Sequence, residues 1–260
     1  MGKKEKATPT PALGDKGILV GIIIIAAILL LIGVLYFTGI AGGPVGTPRT
    51  PAVSPPPTAV VLPVKSARPS IELFVMSFCP YGVQAESAMK PVVDLLGKTA
   101  DIRLRYIATV NGNTVDTVKS LHGLAEAEED IRQLCIARYY PEQVWPYVQE
   151  FNAQCYPVLR NATHLESCQN NVTTTLGMDT RKIETCASGI EGIALLRADE
   201  TITKNLKVTG SPTLFMNGQK YTGQRTADAY KQGICARFET APAECSVNLS
   251  SQAVASAGSC

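Results

Sequence analysis

Residues 18–37 are uncharged and almost wholly aliphatic, running from Ile18 through Ile22-Ile23-Ile24-Ile25 to Tyr36-Phe37. A run of about 20 apolar residues matches the hydrocarbon core of a bilayer at helical rise. It predicts a membrane-spanning helix over 18–40, because only a helix satisfies its own backbone there. Downstream the period changes. Ser70 to Met76 is a short β-branched and aromatic run, as in a buried strand. From Val83 to Leu96, apolar residues at Val83, Ala85, Ala88, Met89, Val92, Val93, Leu95 and Leu96 follow a helical period with a broad buried face. Asp101 to Val110 alternates, with Ile102, Leu104, Tyr106 and Ala108 on one side, and predicts one strand. Helices are predicted over Gly123 to Tyr139, Glu142 to Asn152 (with Pro141 at its start), Thr180 to Ala187, Ile190 to Asn205 and Thr226 to Phe238. Thr213 to Met216 and Gln219 to Tyr221 flank Asn217-Gly218 and predict a hairpin.

These elements give an α/β chain of five parts: a cytoplasmic tail over 1–17, the membrane helix over 18–40, a Pro-rich linker over 41–68, a folded domain over 69–246 and a flexible tail over 247–260. A helical insert occupies about 115–205. Lys3, Lys4, Lys6 and Lys16 precede the apolar span and only Arg49 follows it closely, which orients the N-terminus to the cytoplasm and the main domain outside. The alternative is a cleaved signal peptide, whose core is usually shorter than this one. Pro55-Pro56-Pro57 stiffens the linker into a spacer. Asn161-Ala162-Thr163, Asn171-Val172-Thr173 and Asn248-Leu249-Ser250 are glycosylation sequons, weak support for an exported glycoprotein.

Composition narrows the classes. A net charge of +2, with Lys and Arg scattered, gives no case for nucleic acid. All eight cysteines follow the apolar span, at 79, 135, 155, 168, 186, 235, 245 and 260, as suits an oxidising compartment. There is no Cys-x-x-Cys pair and only two histidines, His122 and His164, so a zinc site is not expected and no cofactor is implied. His164 falls in a polar stretch read as a solvent-facing loop. Trp145, Tyr139 and Tyr140 read as core or groove wall rather than a cofactor box.

The chemistry centres on Ser77-Phe78-Cys79-Pro80-Tyr81-Gly82. Cys79 stands between a strand and a helix, and Pro80 suits the first helical turn. Unpaired N–H groups and the helix dipole at that place favour a thiolate, the nucleophilic form of cysteine. The competing reading is a buried, inert cysteine. Pro212 immediately precedes a strand, which predicts a cis bond at Ser211–Pro212.

Strand, cysteine, helix and a late cis-proline hairpin together resemble the thioredoxin superfamily over roughly Ser70 to Cys245. The resemblance implies a thioredoxin-like fold with Cys79 as nucleophile. It makes Pro80, Tyr81, Ser211 and Pro212 the substrate-contacting residues, with extended substrate added beside the proline. DsbA-like oxidoreductases, which also carry a helical insert, are one neighbouring group. Gamma-interferon-inducible lysosomal thiol reductases are another: His122, Gly123, Glu126 and Cys135 match their signature, while Ser120, Ala127 and Asp130 depart from it. Cys235 with Cys245 also looks like that group. Cys135, Cys155, Cys168 and Cys186 are then structural, stapling the insert in a connectivity that spacing does not give.

Gly82 stands where most thiol oxidoreductases carry the resolving cysteine. A single thiolate still attacks a disulfide and is released by a second thiol. The reading is therefore a membrane-anchored extracytoplasmic thiol–disulfide oxidoreductase or isomerase of monothiol type. Its partners would be exported cysteine-containing proteins or a small thiol. Cys260 is a possible distant resolving thiol. The alternative is a non-catalytic thioredoxin-fold binding or chaperone module on a membrane stalk. A peroxidase fits less well, since no threonine or arginine companion is readable near Cys79.

Overall fold

The computed structural model describes residue 29 and residues 62–253. The predicted membrane helix over 18–40 lies, apart from Leu29, outside the described residues, as do most of the linker and the end of the tail. Among the described residues no helix is long and apolar enough to cross a membrane.

A four-stranded sheet of order β2-β1-β5-β6 carries the domain. Its strands are β1 (Ser70–Val75), β2 (Asp101–Tyr106), β5 (Thr213–Met216) and β6 (Gln219–Lys220). β1 pairs in parallel with β2, Leu73 opposite Leu104, and antiparallel with β5, Leu73 opposite Leu214. β1 is central and buries both faces. Ile71, Leu73 and Val75 join the main core, with Met89 and Val92 of α1 (Pro80–Leu96) and Tyr230 and Ile234 of α7 (Ala227–Cys235). Phe74 points the other way. It meets Phe215 edge to face at 5.8 Å in a smaller core closed by Val208, Ile202 and Leu206.

The single strand expected from Asp101 to Val110 is two. After Tyr106 the chain leaves the sheet. Thr109–Val110 (β3) then pairs antiparallel with Val118–Lys119 (β4). The alternation continues through the break because Ala108 and Val110 are also buried. The helical layer follows: α2 (Leu124–Tyr139), α3 (Val144–Glu150), α4 (Ala162–Thr175), α5 (Thr180–Ser188) and α6 (Ile190–Asn205). A π-helical turn over Phe151–Cys155 extends α3. α4 lies where a polar loop was expected. Asn161 caps it by accepting a hydrogen bond from His164 N at 3.1 Å, and His164 is exposed on its first turn.

Three disulfides staple these pieces. Cys135–Cys186 ties α2 to α5, Cys155–Cys168 ties the π-helical turn to α4, and Cys235–Cys245 closes the chain after α7. The edges of the domain are docked as well. Val64 N donates to Gln219 Oε1, and the N–H of Ser66 donates to Arg237 O. Residues 247–250, read from composition as the start of a flexible tail, are held on α7: Lys231 Nζ donates to Val247 O at 2.6 Å and Asp228 N donates to Ser250 O at 3.0 Å.

Candidate functional site

Cys79 is the N-cap residue of α1, in extended conformation, with Pro80 as the first helical residue. Its sulfur lies 3.8 Å from the carbonyl oxygen of Ser211, and the Ser211–Pro212 bond is cis. The two segments that the sequence singled out, far apart along the chain, thus meet. Pro80 is buried, Tyr81 is 36% exposed, and Cys79 is fully buried. Cys79 is disulfide-bonded, and none of the three disulfides described above uses it. Cys260, the expected distant thiol, lies outside the described residues.

The turn before Cys79 is held at every N–H. Met76 N donates to Ser211 Oγ at 3.1 Å and Cys79 N to Met76 O at 3.0 Å. Ser77 N donates to Asp130 Oδ1 at 3.0 Å, and Phe78 N to Glu126 Oε1 at 3.0 Å. Tyr156 closes the set by donating its hydroxyl to Phe78 O at 3.1 Å. Glu126 and Asp130 stand four residues apart, one helical turn on α2, and so reach adjacent amides of the turn. Glu126 is itself gripped. His122 Nδ1 lies 2.6 Å from its Oε1, His122 N donates to its Oε2 at 3.0 Å, and Ser120 Oγ donates to Oε2. The segment that matches the thiol-reductase signature in part is therefore a clamp on the cysteine turn. His122 does not touch Cys79 by any described contact.

Behind the clamp lies a buried acidic layer. Glu86 of α1 accepts from Asn152 Nδ2 at 2.7 Å. Glu129 of α2 accepts from Gln133 Nε2 and Gln169 Nε2, each at 2.7 Å, and from Tyr147 OH at 3.4 Å. Burial pushes each of these carboxyls up to about 7. Burial, reinforced by the charge of Glu126, raises Asp130 well above the usual carboxylate range against the hydrogen bonds from Ser77. Glu126 and Asp130 were picked out in the sequence as signature positions but given no role, and Glu86 and Glu129 were not picked out.

Gly82 faces the same place. A β-carbon there would sit 2.8 Å from Ser211 Oγ, 3.1 Å from Met76 O and 3.6 Å from Val75 Cβ. The space for a resolving thiol is occupied by the Ser211 hydroxyl and the strand end. Among the described residues no group of His, Cys, Asp and Glu is arranged to hold a metal ion.

Known proteins share parts of this architecture. A family model described as the vacuolar sorting receptor thioredoxin-like domain matches residues 103–235, just over half of the chain. The matched stretch contains Glu126, Asp130, Ser211 and Pro212 and begins after Cys79 and Gly82. Vacuolar-sorting receptor 1 of Pisum sativum is 32% identical over 134 residues, covering 46% of this chain and 21% of that protein. Vacuolar-sorting receptor 4 of Arabidopsis thaliana is 29% identical over 131 residues, covering 45% and 20%. The chain thus spans about a fifth of the length of the curated relatives it matches. Among solved structures, the thiol-disulfide oxidoreductase MdbA of Actinomyces oris superposes with a TM-score of 0.51 at 11% identity, covering 68% of this chain and 83% of that one. At that identity the likeness speaks for the fold alone: a mixed α/β thioredoxin-like fold with added helices.

Proposed function

The chain belongs to the family of vacuolar sorting receptor thioredoxin-like domains, and we propose that its folded domain binds polypeptide and does not turn over disulfides. Extended chain would lie along the loop at Ser211 and Pro212, beside Pro80 and Tyr81, by strand addition. The observation that carries this reading is the Gly82–Ser211 contact. A Cys-x-x-Cys dithiol cycle needs its second sulfur at position 82, and the hydroxyl of Ser211 stands in the way of a side chain there. Two further observations support it. Cys79 is fully buried and disulfide-bonded, whereas an attacking thiol must be reduced and reachable. The clamp from α2 fixes the turn rigidly, as suits a binding edge.

We place the domain outside the cytoplasm, on a membrane anchor at 18–40 and a Pro-rich stalk. Three disulfides in one domain support an oxidising compartment. Cys260 is our proposed partner of Cys79, because the other six cysteines pair among themselves.

A second reading is favoured by one observation: Cys79 sits at a helix N-terminus opposite Pro212, where a thiolate is stabilised. There the Cys79 thiolate attacks a disulfide of an exported protein, forms a mixed disulfide and expels one substrate thiolate. In isomerisation another thiolate of the substrate attacks the substrate-side sulfur of the mixed disulfide, forming a new substrate disulfide and returning the Cys79 thiolate with no net change in electrons. In reduction Cys260 or a small thiol attacks the Cys79 sulfur and expels the second substrate thiolate, and small thiols then reduce the resulting disulfide of Cys79, so that two thiols in all supply the two electrons.

The full chain in detergent decides between them. Binding of a cysteine-free unfolded polypeptide is read by anisotropy, and glutathione-dependent reduction of a peptide–glutathione mixed disulfide by product release. The binding reading expects an affinity that changes less than threefold in Cys79→Ser and no turnover above background. Turnover that Cys79→Ser abolishes overturns it in favour of exchange chemistry.

A further inference from the structure

Beside the cis-proline loop lies a cleft of about 350 Å³, between residues 209–214 and the segment Lys220 to Arg225, with Tyr230 of α7 also in its lining. Its lining is polar, from Thr209, Ser211 and Thr213, and it includes no carboxylate. It contains two cations, Lys220 and Arg225. Neither makes an ion pair among the described residues. Two uncompensated positive charges beside one cleft favour an anionic occupant.

Tyr230 supplies an independent sign. Its side chain is 1% exposed and its ring is fixed edge to face on Tyr221 at 5.7 Å. The hydroxyls of the fully buried Tyr106 and Tyr147 are held by Gln133 and Glu129. That of Tyr230 makes no hydrogen bond among the described residues and is not one of the fully enclosed unsatisfied atoms, so it reaches the surface at the cleft that Tyr230 lines. Burial, against the pull of Arg225, pushes this phenol up to about 12, so it remains an O–H donor. A phenolic donor, an arginine fork and a lysine around a cleft without acids can recognise one planar anion.

We propose that this cleft is a carboxylate subsite of the polypeptide groove, taking an aspartate or glutamate side chain, or a terminal carboxylate, of the chain bound at Ser211 and Pro212. The inference rests on the binding reading above, because the cleft and the groove share Ser211 and Pro212. The carboxylate would accept from Tyr230 OH and the Arg225 guanidinium, with Lys220 adding charge at the mouth.

The test uses the full chain in detergent and fluorescein-labelled 12-residue peptides with blocked termini, built from Val, Ser and Gly around one central residue. That residue is Asp, Asn or phosphoserine, and a fourth probe is the Asn peptide with a free C-terminal carboxylate. The Asp peptide, or the free-terminus peptide, is expected to bind at least tenfold more tightly than the blocked Asn peptide. Which of the two gains tells whether a side chain or a terminus is taken. Arg225→Gln and Tyr230→Phe are each expected to shrink that preference to less than threefold, whereas Lys98→Gln, on an exposed turn elsewhere, keeps it. Equal binding of the Asp, free-terminus and Asn peptides overturns the subsite and leaves the binding reading standing. A preference that survives Arg225→Gln, or one confined to phosphoserine, also overturns it. No binding of any peptide overturns both.

Discussion

Replacing Gly82 with alanine would place a methyl group 2.8 Å from Ser211 Oγ and 3.1 Å from Met76 O. Gly82 is the third residue of α1, where the exchange by itself favours the helix by up to about 1 kcal/mol. The contact works against this. Ser211 Oγ is held by the N–H of Met76 at 3.1 Å, so it cannot swing aside without leaving that donor unsatisfied. An unmet donor costs about 1–3 kcal/mol, and overpacking costs a similar amount when nothing yields. We therefore expect Gly82→Ala to destabilise the fold by about 1–2 kcal/mol. Urea unfolding followed by circular dichroism measures it. Ser211→Ala removes the hydroxyl and leaves the 3.1 Å approach to Met76 O as the remaining tight contact. In that background Gly82→Ala should cost clearly less than in the wild type. The cycle should show a coupling of about 1 kcal/mol or more, above the few tenths expected for independent sites. A stabilising Gly82→Ala in the wild-type background, or strict additivity, would refute the claim that Ser211 fills the resolving position.

Two more outcomes follow from the buried acids. Glu126→Gln puts an amide N–H₂ where the carboxylate receives Phe78 N, Ser120 Oγ and the His122 contacts; the expected loss is about 2 kcal/mol or more, with faster hydrogen exchange at Phe78, and unchanged exchange there would count against the clamp. Glu86 and Glu129 are each moved from 4.5 to about 7, so between those values the native state holds protons that the unfolded chain has released. Their contribution to stability is then fully present below about pH 4.5 and is lost as the pH rises through 7. At about 1.4 kcal/mol per pH unit this amounts to a few kcal/mol. The urea midpoint should drop between pH 5 and pH 8 and flatten in Glu86→Gln with Glu129→Gln; a midpoint that rises over that range would show the pair is not buried as described.

The sequence disclosed elements wherever period and punctuation agreed. The apolar run of β1, the broad face of α1 and the Asn217-Gly218 hairpin are all present, and both Asn217 and Gly218 have positive φ, as a two-residue hairpin turn needs. α4 was missed because its buried positions, Leu165, Gln169, Val172 and Thr173, mix apolar with polar and β-branched side chains, and its cap, Asn161, also begins a sequon. Cys79 and Pro212 were legible as a pair. The clamp was legible only in part: the signature segment picked out Glu126 and Asp130, but charges normally mark a surface, and only the fold turns these two, with Glu129 behind them, inward. The pairings Cys135–Cys186 and Cys155–Cys168 likewise depend on how the helices pack and not on spacing.

The most direct test of a binding domain without turnover is the alkylation of Cys79 in the full chain, purified without reductant. Each cysteine is read by mass spectrometry across pH. The account predicts that Cys79 stays unmodified in the native protein at neutral pH and reacts only after reduction, as expected of a buried half-cystine. Rapid modification of native Cys79, with a midpoint well below the roughly 8.5 of a free thiol, would reveal an activated nucleophile and contradict it.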